Sequence, residues 1–175
     1  LSPPQGRQGQ VFRGSDELRG SNHAEDHLRN YREGRLTLIA EVIDAVCSHL
    51  SQAGIFYYPG ATATYKPGAG QVPVTAKRLP APWDTAAAVN VYSQELPLPG
   101  SDTVMVNLQL HVRASPTADI LADRAVEALH GVHAAQWGSL RVDRCVHLST
   151  AQLGADEKGL DHRTDNFQLI FHTKG

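Results

Sequence analysis

The stretch TVMVNLQLHVRAS, residues 103–115, constrains the fold more than any other part of the chain. Val104, Val106, Leu108, Leu110 and Val112 fall on one side of a period-two pattern, and Met105, Asn107, Gln109, His111 and Arg113 on the other. A helix would scatter these residues around its axis. A strand gathers the apolar set on one face and leaves the other face partly wet. The chain therefore holds a sheet that packs on a core from one side. Four further segments carry the same signal. Val72, Val74 and Ala76 alternate with Pro73 and Thr75, and Pro73 has no N–H for a ladder, so this strand is expected at an edge. AAVNVYSQEL at 87–96 is the next. SLRVDRCVHLS at 139–149 alternates through Leu140, Val142, Val146 and Leu148, and NFQLIFHT at 166–173 through Phe167, Leu169 and Phe171.

Two segments switch to helical spacing. Leu36, Ile39, Ile43, Val46, Cys47, Leu50 and Ala53 recur at steps of three and four, with Gly54 as the closing residue. In SPTADILADRAVEALHG, Ser115 reads as the N-cap and Pro116 as the first helical residue. Ala118, Leu121, Ala122, Ala125, Val126 and Leu129 form its apolar stripe, and Gly131 its end. The order is helix, three strands, helix, two strands. The expected fold is α+β, with a largely antiparallel, mixed sheet of about five strands packed against two amphipathic helices. Residues 1–30 are polar, mix both charges and read as an extension to a single domain over 31–175. Between helix and sheet, the Pro/Gly-rich segment 59–71 offers few apolar anchors and is expected to be mobile in the free subunit.

Composition narrows the function classes. A net charge of −2 provides no global field for nucleic acid or anionic membrane. No apolar run approaches the length of a bilayer span, and the N-terminus carries no signal-peptide pattern. Cys47 and Cys145 belong to no CxxC pair and are expected as reduced core residues, which suits a reducing compartment.

The densest chemistry lies in QLGADEKGLDHRTDNFQLIFHTKG, where Asp156, Glu157, Asp161, His162, Arg163 and Asp165 crowd together. A metal or catalytic site needs donors converging from separate rigid elements. These acids share one glycine-punctuated loop, so a catalytic site is not expected there, and the polar tip of a hairpin that meets another protein is the other reading. Arg113, at the wet end of the best strand, reads either as the partner of a carboxylate in that loop, in the same chain or the next, or as a solvent-facing edge charge. The HAEDH segment places His23 and His27 four apart but lacks a third ligand, and His130 and His133 flank a helix end, so no metal centre is expected at either pair. P-loop, serine-elbow and dinucleotide fingerprints do not occur in the sequence.

The strand ending LQLHVRAS, the helix ADILADRAVEALHG and the closing STAQLGADEKGLDHRTDNFQLIF together resemble the phage tail terminator and minor capsid family. These are ring proteins of the head–tail junction in long-tailed phages. The resemblance spans residues 31–175 and rests on diffuse patterns; the arm at 1–30 is longer than the family pattern needs. It implies a non-enzymatic virion protein without cofactor, at the head-proximal end of the tail and assembled in the host cytoplasm. Its implied partners are its own copies in a hexameric ring, the major tail tube protein and the head–tail connector, with no sequence-specific nucleic acid and no membrane. Arg113, Asp156, Asp161, His162 and Arg163 are then the expected inter-subunit contacts. The alternatives are another neck or tail completion protein, or a small metal-dependent hydrolase or nuclease using Asp156, Asp161 and His162.

Overall fold

The computed structural model describes residues 38–95 and 101–172, so the polar arm, Leu36 and the His23/His27 pair lie outside the described residues. Helix α1 covers 38–52 and buries Val42, Ile43, Ala45, Val46, Cys47 and Leu50, the face set by its three- and four-residue spacing. It ends in a Schellman turn. The Ile55 amide donates to the Leu50 carbonyl at 3.2 Å and the Gly54 amide to the Ser51 carbonyl at 3.0 Å. Gly54 has φ +68° with no atom near its missing Cβ, so backbone angle and not space selects glycine. Ala53, one residue past the helix, is exposed and does not extend the buried stripe.

Six strands follow: β1 (Val74–Ala76), β2 (Ala86–Glu95), β3 (Thr103–Ala114), β4 (His133–Trp137), β5 (Leu140–Ala155) and β6 (Asp161–His172). Their order in the one sheet is β1-β2-β3-β6-β5-β4. The β1–β2 pair is parallel and every other pair antiparallel. β1 lies at the edge, as Pro73 requires. The central β3 pairs with β6 without a break from Thr103↔His172 to Ala114↔Asp161. Its Val104, Val106, Leu108, Leu110 and Val112 are buried beside Phe167, Leu169 and Phe171.

Helix α2 spans Asp119–Leu129 and packs on β6, β5 and β3 through Ala118, Ala122, Ala125 and Leu129. Its start differs from expectation. Ser115 is not the cap and Pro116, joined to it by a cis bond, is not the first helical residue. Thr117 Oγ1 instead accepts from the Asp119 amide at 3.2 Å, and Asp161 Oδ2 accepts from the Ala118 amide at 2.9 Å. The two helices share the core face of the sheet. His49 Nε2 meets the Ala128 carbonyl at 3.1 Å and its ring stacks on Trp137 at 4.4 Å. Gly131, with φ +77°, closes α2 as expected.

Both cysteines are free and buried, and burial pushes each thiol up to about 12. The Pro/Gly segment has anchors that its aliphatic pattern did not reveal. Tyr65 donates to the Val74 carbonyl at 2.8 Å, with the rings of Tyr57, Tyr58 and Trp83 between 6.2 and 6.5 Å away. Tyr58 donates to Asp44 Oδ1 at 2.8 Å. No helix among the described residues is long and apolar enough to cross a membrane.

Candidate functional site

The charged cluster is mostly strand. β5 runs to Ala155 and β6 starts at Asp161, so the turn between them is only 156–160. Asp156 builds that turn. Its Oδ1 accepts from the Lys158 amide at 2.9 Å and the Leu160 amide at 3.0 Å. The Leu160 amide, with His162 second, holds the Asp156 carboxyl below the usual carboxylate range. Gly159 supplies the positive φ, +76°, that brings the chain round.

The second oxygen of Asp156 starts a relay. Asp156 Oδ2 stands 3.3 Å from His162 Nε2, and His162 Nδ1 stands 3.0 Å from His111 Nε2 on β3. The two ring centroids are 5.1 Å apart, close to the span of two imidazoles joined nitrogen to nitrogen. The facing nitrogens are therefore one hydrogen bond apart and do not converge on an ion. Burial, then His162 and Arg113, lowers the pKa of His111.

Arg163 and Asp165 form a separate network under α2. Arg163 is buried and grips Asp165 with two parallel bonds, Nε to Oδ2 at 2.9 Å and Nη2 to Oδ1 at 3.1 Å. Its Nη1 donates to Asp119 at 3.0 Å and Asp123 at 2.7 Å, both on α2. Burial opposes the charge of Arg163, and the bonds to Asp165, Asp119 and Asp123 outweigh it, so the guanidinium is held above its usual range. Hydrogen bonds from Gln152 and then Arg163 keep Asp119 low. Asp165, fully buried, also accepts from Thr150 Oγ1 at 2.5 Å and meets His147 Nε2 at 2.9 Å. Thr150 Oγ1 contacts that same His147 nitrogen at 3.2 Å. A base that activates a nucleophile needs the hydroxyl and the orienting carboxylate on opposite ring nitrogens. Here both lie on Nε2, so the arrangement holds strands to helix and does not form a triad.

The five sequence-predicted residues thus divide among four roles within the chain. Asp156 and His162 share the relay, Asp161 caps α2, Arg163 is a buried ion-pair member, and Arg113 stands apart. Arg113 is the register partner of His162, yet its guanidinium turns away from the 156–165 carboxylates. It donates to the carbonyls of Pro80 at 2.9 Å, Asp84 at 3.2 Å and Trp83. Within the chain, the expected arginine–carboxylate pair is replaced by this clamp on the loop before β2, because backbone carbonyls lie nearer. Sequence reasoning missed His111 and His147, whose only signal was cross-strand position. It also missed His172, held between Asp102 Oδ1 at 3.1 Å and Asp143 Oδ2 at 2.7 Å. Among the described residues, no group of three His, Cys, Asp or Glu is placed to hold a metal ion.

The sheet's outer edges form the other distinctive region. β1 pairs only with Ala87–Val89, and β4 only with the Leu140–Arg144 end of β5. His130, Gly131 and Val132 cover β5 as far as His147. Beyond these, 90–95 of β2 and 149–155 of β5 have no strand beside them among the described residues. Tyr92, Leu148 and Leu153 are 53%, 49% and 56% exposed, and each is the residue skipped where the ladder slips in a bulge. Both carboxamide atoms of Gln94 are buried without a partner. The sequence matches no protein-family model and no curated protein.

Proposed function

We propose that this chain is a structural virion subunit, a tail terminator. In this reading it forms a ring, a hexamer by the family resemblance, at the head-proximal end of a long phage tail. It ends tube polymerisation and joins the tube to the head connector. One observation carries the reading: the chemistry-bearing residues are engaged in the chain's own fold, while the uncoupled features are strand edges. Asp161 caps a helix, Arg163 and Asp165 neutralise each other out of water, and both nitrogens of His162 are occupied. Among the described residues two open edges bearing exposed apolar side chains remain, and such edges are surfaces for other protein chains.

The partners in this reading are further copies of the chain, the tail tube protein and the connector. It needs no cofactor, no membrane and no base-specific contact with the genome passing through. Another neck or completion protein would use the same edges and is the nearest alternative. A hydrolase built on Asp156, Asp161 and His162 has less support, since Asp156 and His162 bond each other while Asp161 turns to the start of α2, so the three do not converge on one point. Deleting the gene from its phage tests the proposal. Lysates should contain filled heads beside overlong, unattached tails, and the intact gene supplied in trans should restore normal tails. Tails of normal length joined to heads without the protein would overturn it.

A further inference from the structure

The two open edges are complementary in length, direction and height. Along the axis of β3, the open part of β2 faces Gln109 to Met105. The open part of β5, read through β6, lies level with Gln109 to Ala114. The short edge strands explain the offset, because β1 blocks the lower half of one side and β4 the upper half of the other. β2 and β5 run in opposite directions in the sheet order. A second copy in the same orientation therefore offers its β2 edge antiparallel to the first copy's β5 edge.

We infer that subunits join head to tail by this pairing, 149–155 of β5 against 90–95 of β2 in the next copy, and so run one sheet through the whole ring; the inference rests on the ring reading above. The required stagger is about five residues, or ~16 Å at about 3.3 Å per residue. At that stagger β4 of one copy stops just beyond the end of the neighbour's β2, and the neighbour's β1 comes level with the 156–160 turn, which has to bend out of the sheet to admit it. A closed sheet needs such a stagger. Spread over the four strand columns that repeat, β2, β3, β6 and β5, at about 4.8 Å each, it tilts the strands by roughly 40°, within the range at which sheets close into barrels. Head-to-tail contacts of this kind close into rings when the rotation allows it.

Side chains agree with the register. The β5 edge, Ser149 to Ala155, carries no charge, so it lacks the lysines that monomeric proteins place on exposed edges. The pairing sets exposed Tyr92 across from exposed Leu153. The outer side of β1 does not compete. Tyr57 and Tyr65 already occupy the Val74 amide and carbonyl there.

Disulfide trapping tests the contact. The double variant Tyr92→Cys/Leu153→Cys changes two exposed positions, and the native thiols are buried and do not interfere. After oxidation of concentrated protein, non-reducing gels should show a ladder ending in one closed species, while each single variant stays monomeric. Leu153→Cys alone giving covalent dimers would overturn the proposal, because β5 edges would then be pairing with each other. Rings seen by electron microscopy without a ladder would overturn the contact and leave the ring reading standing. Neither rings nor ladder, from protein that still melts cooperatively, would overturn both.

Discussion

At the scale of single residues, the polar groups around β6 differ in what they do for stability. His111 is neutral in the fold and faces His162 on β6 and Arg113 on its own strand, with Asp156 at the far side of His162. Its folded pKa lies below the ordinary histidine value of about 6.5. The unfolded chain thus binds a proton at His111 more readily than the native one. The stability this histidine contributes is complete above about pH 6.5 and is lost as pH falls through the folded value. Urea midpoints taken from pH 7.5 down to 5 should fall, and His111→Gln should flatten that dependence. An unchanged slope would mean that His111 does not carry the dependence. Arg163 presents the opposite case, a charge that must stay. Arg163→Ala leaves the Asp165 carboxyl out of water without its guanidinium partner, and should cost about 3–5 kcal/mol, as the loss of one partner of a buried pair does. Replacing both, as Arg163→Met with Asp165→Leu, should recover much of that loss in the same denaturation experiment.

Elements differ in how openly the sequence announces them. β3 is legible because its twelve residues alternate without a slip and one face is uniformly apolar. β4 is not, since its five residues are mostly exposed and Ala134 takes a positive φ, leaving no period to read. β5 was read with Val146 and Leu148 on the core face, yet bulges at 142/144 and 147/149 put Cys145 there and turn Leu148 outward. The start of β6 looked like loop because Arg163 and Asp165 occupy buried positions where a pattern reader expects aliphatic residues. Charge pairing across space, invisible in a linear pattern, makes those positions habitable. The α2 cap was hidden for a related reason. Ser115 fits the local rule, but the oxygen that serves the Ala118 amide comes from Asp161, 43 residues away. Asp161→Ala should therefore destabilise α2 by about 0.5–2 kcal/mol, the usual worth of a capping oxygen, while Ser115→Ala should change little. Leu108→Ala, at the centre of β3, should cost about 2–5 kcal/mol by calorimetry or urea titration.

For the molecule as a whole, the two-layer build divides labour between faces and edges. Helices and core take one face of the sheet, the polar networks gather around the start of β6, and the proposed contacts use the edges. Arg113 links these regions. It lies on the side of β3 away from the core, and its guanidinium fixes the 80–84 carbonyls just before β2 begins. That clamp sets the position of the β1–β2 edge relative to the central strands. Arg113→Ala removes it without opening a cavity, and the freed carbonyls can turn to water. The cost to folding should be about 1–2 kcal/mol, at the lower end for hydrogen bonds to a charged group. Assembly should suffer more, because an edge that wanders cannot hold a staggered register with a neighbour. The expected result is a variant that melts cooperatively within a few degrees of the parent, exchanges amide hydrogens faster at 84–90, and sediments as monomer where the parent forms rings. A variant that fails to fold would make Arg113 part of the core's support, and one that assembles normally would detach the clamp from the edge it is proposed to position.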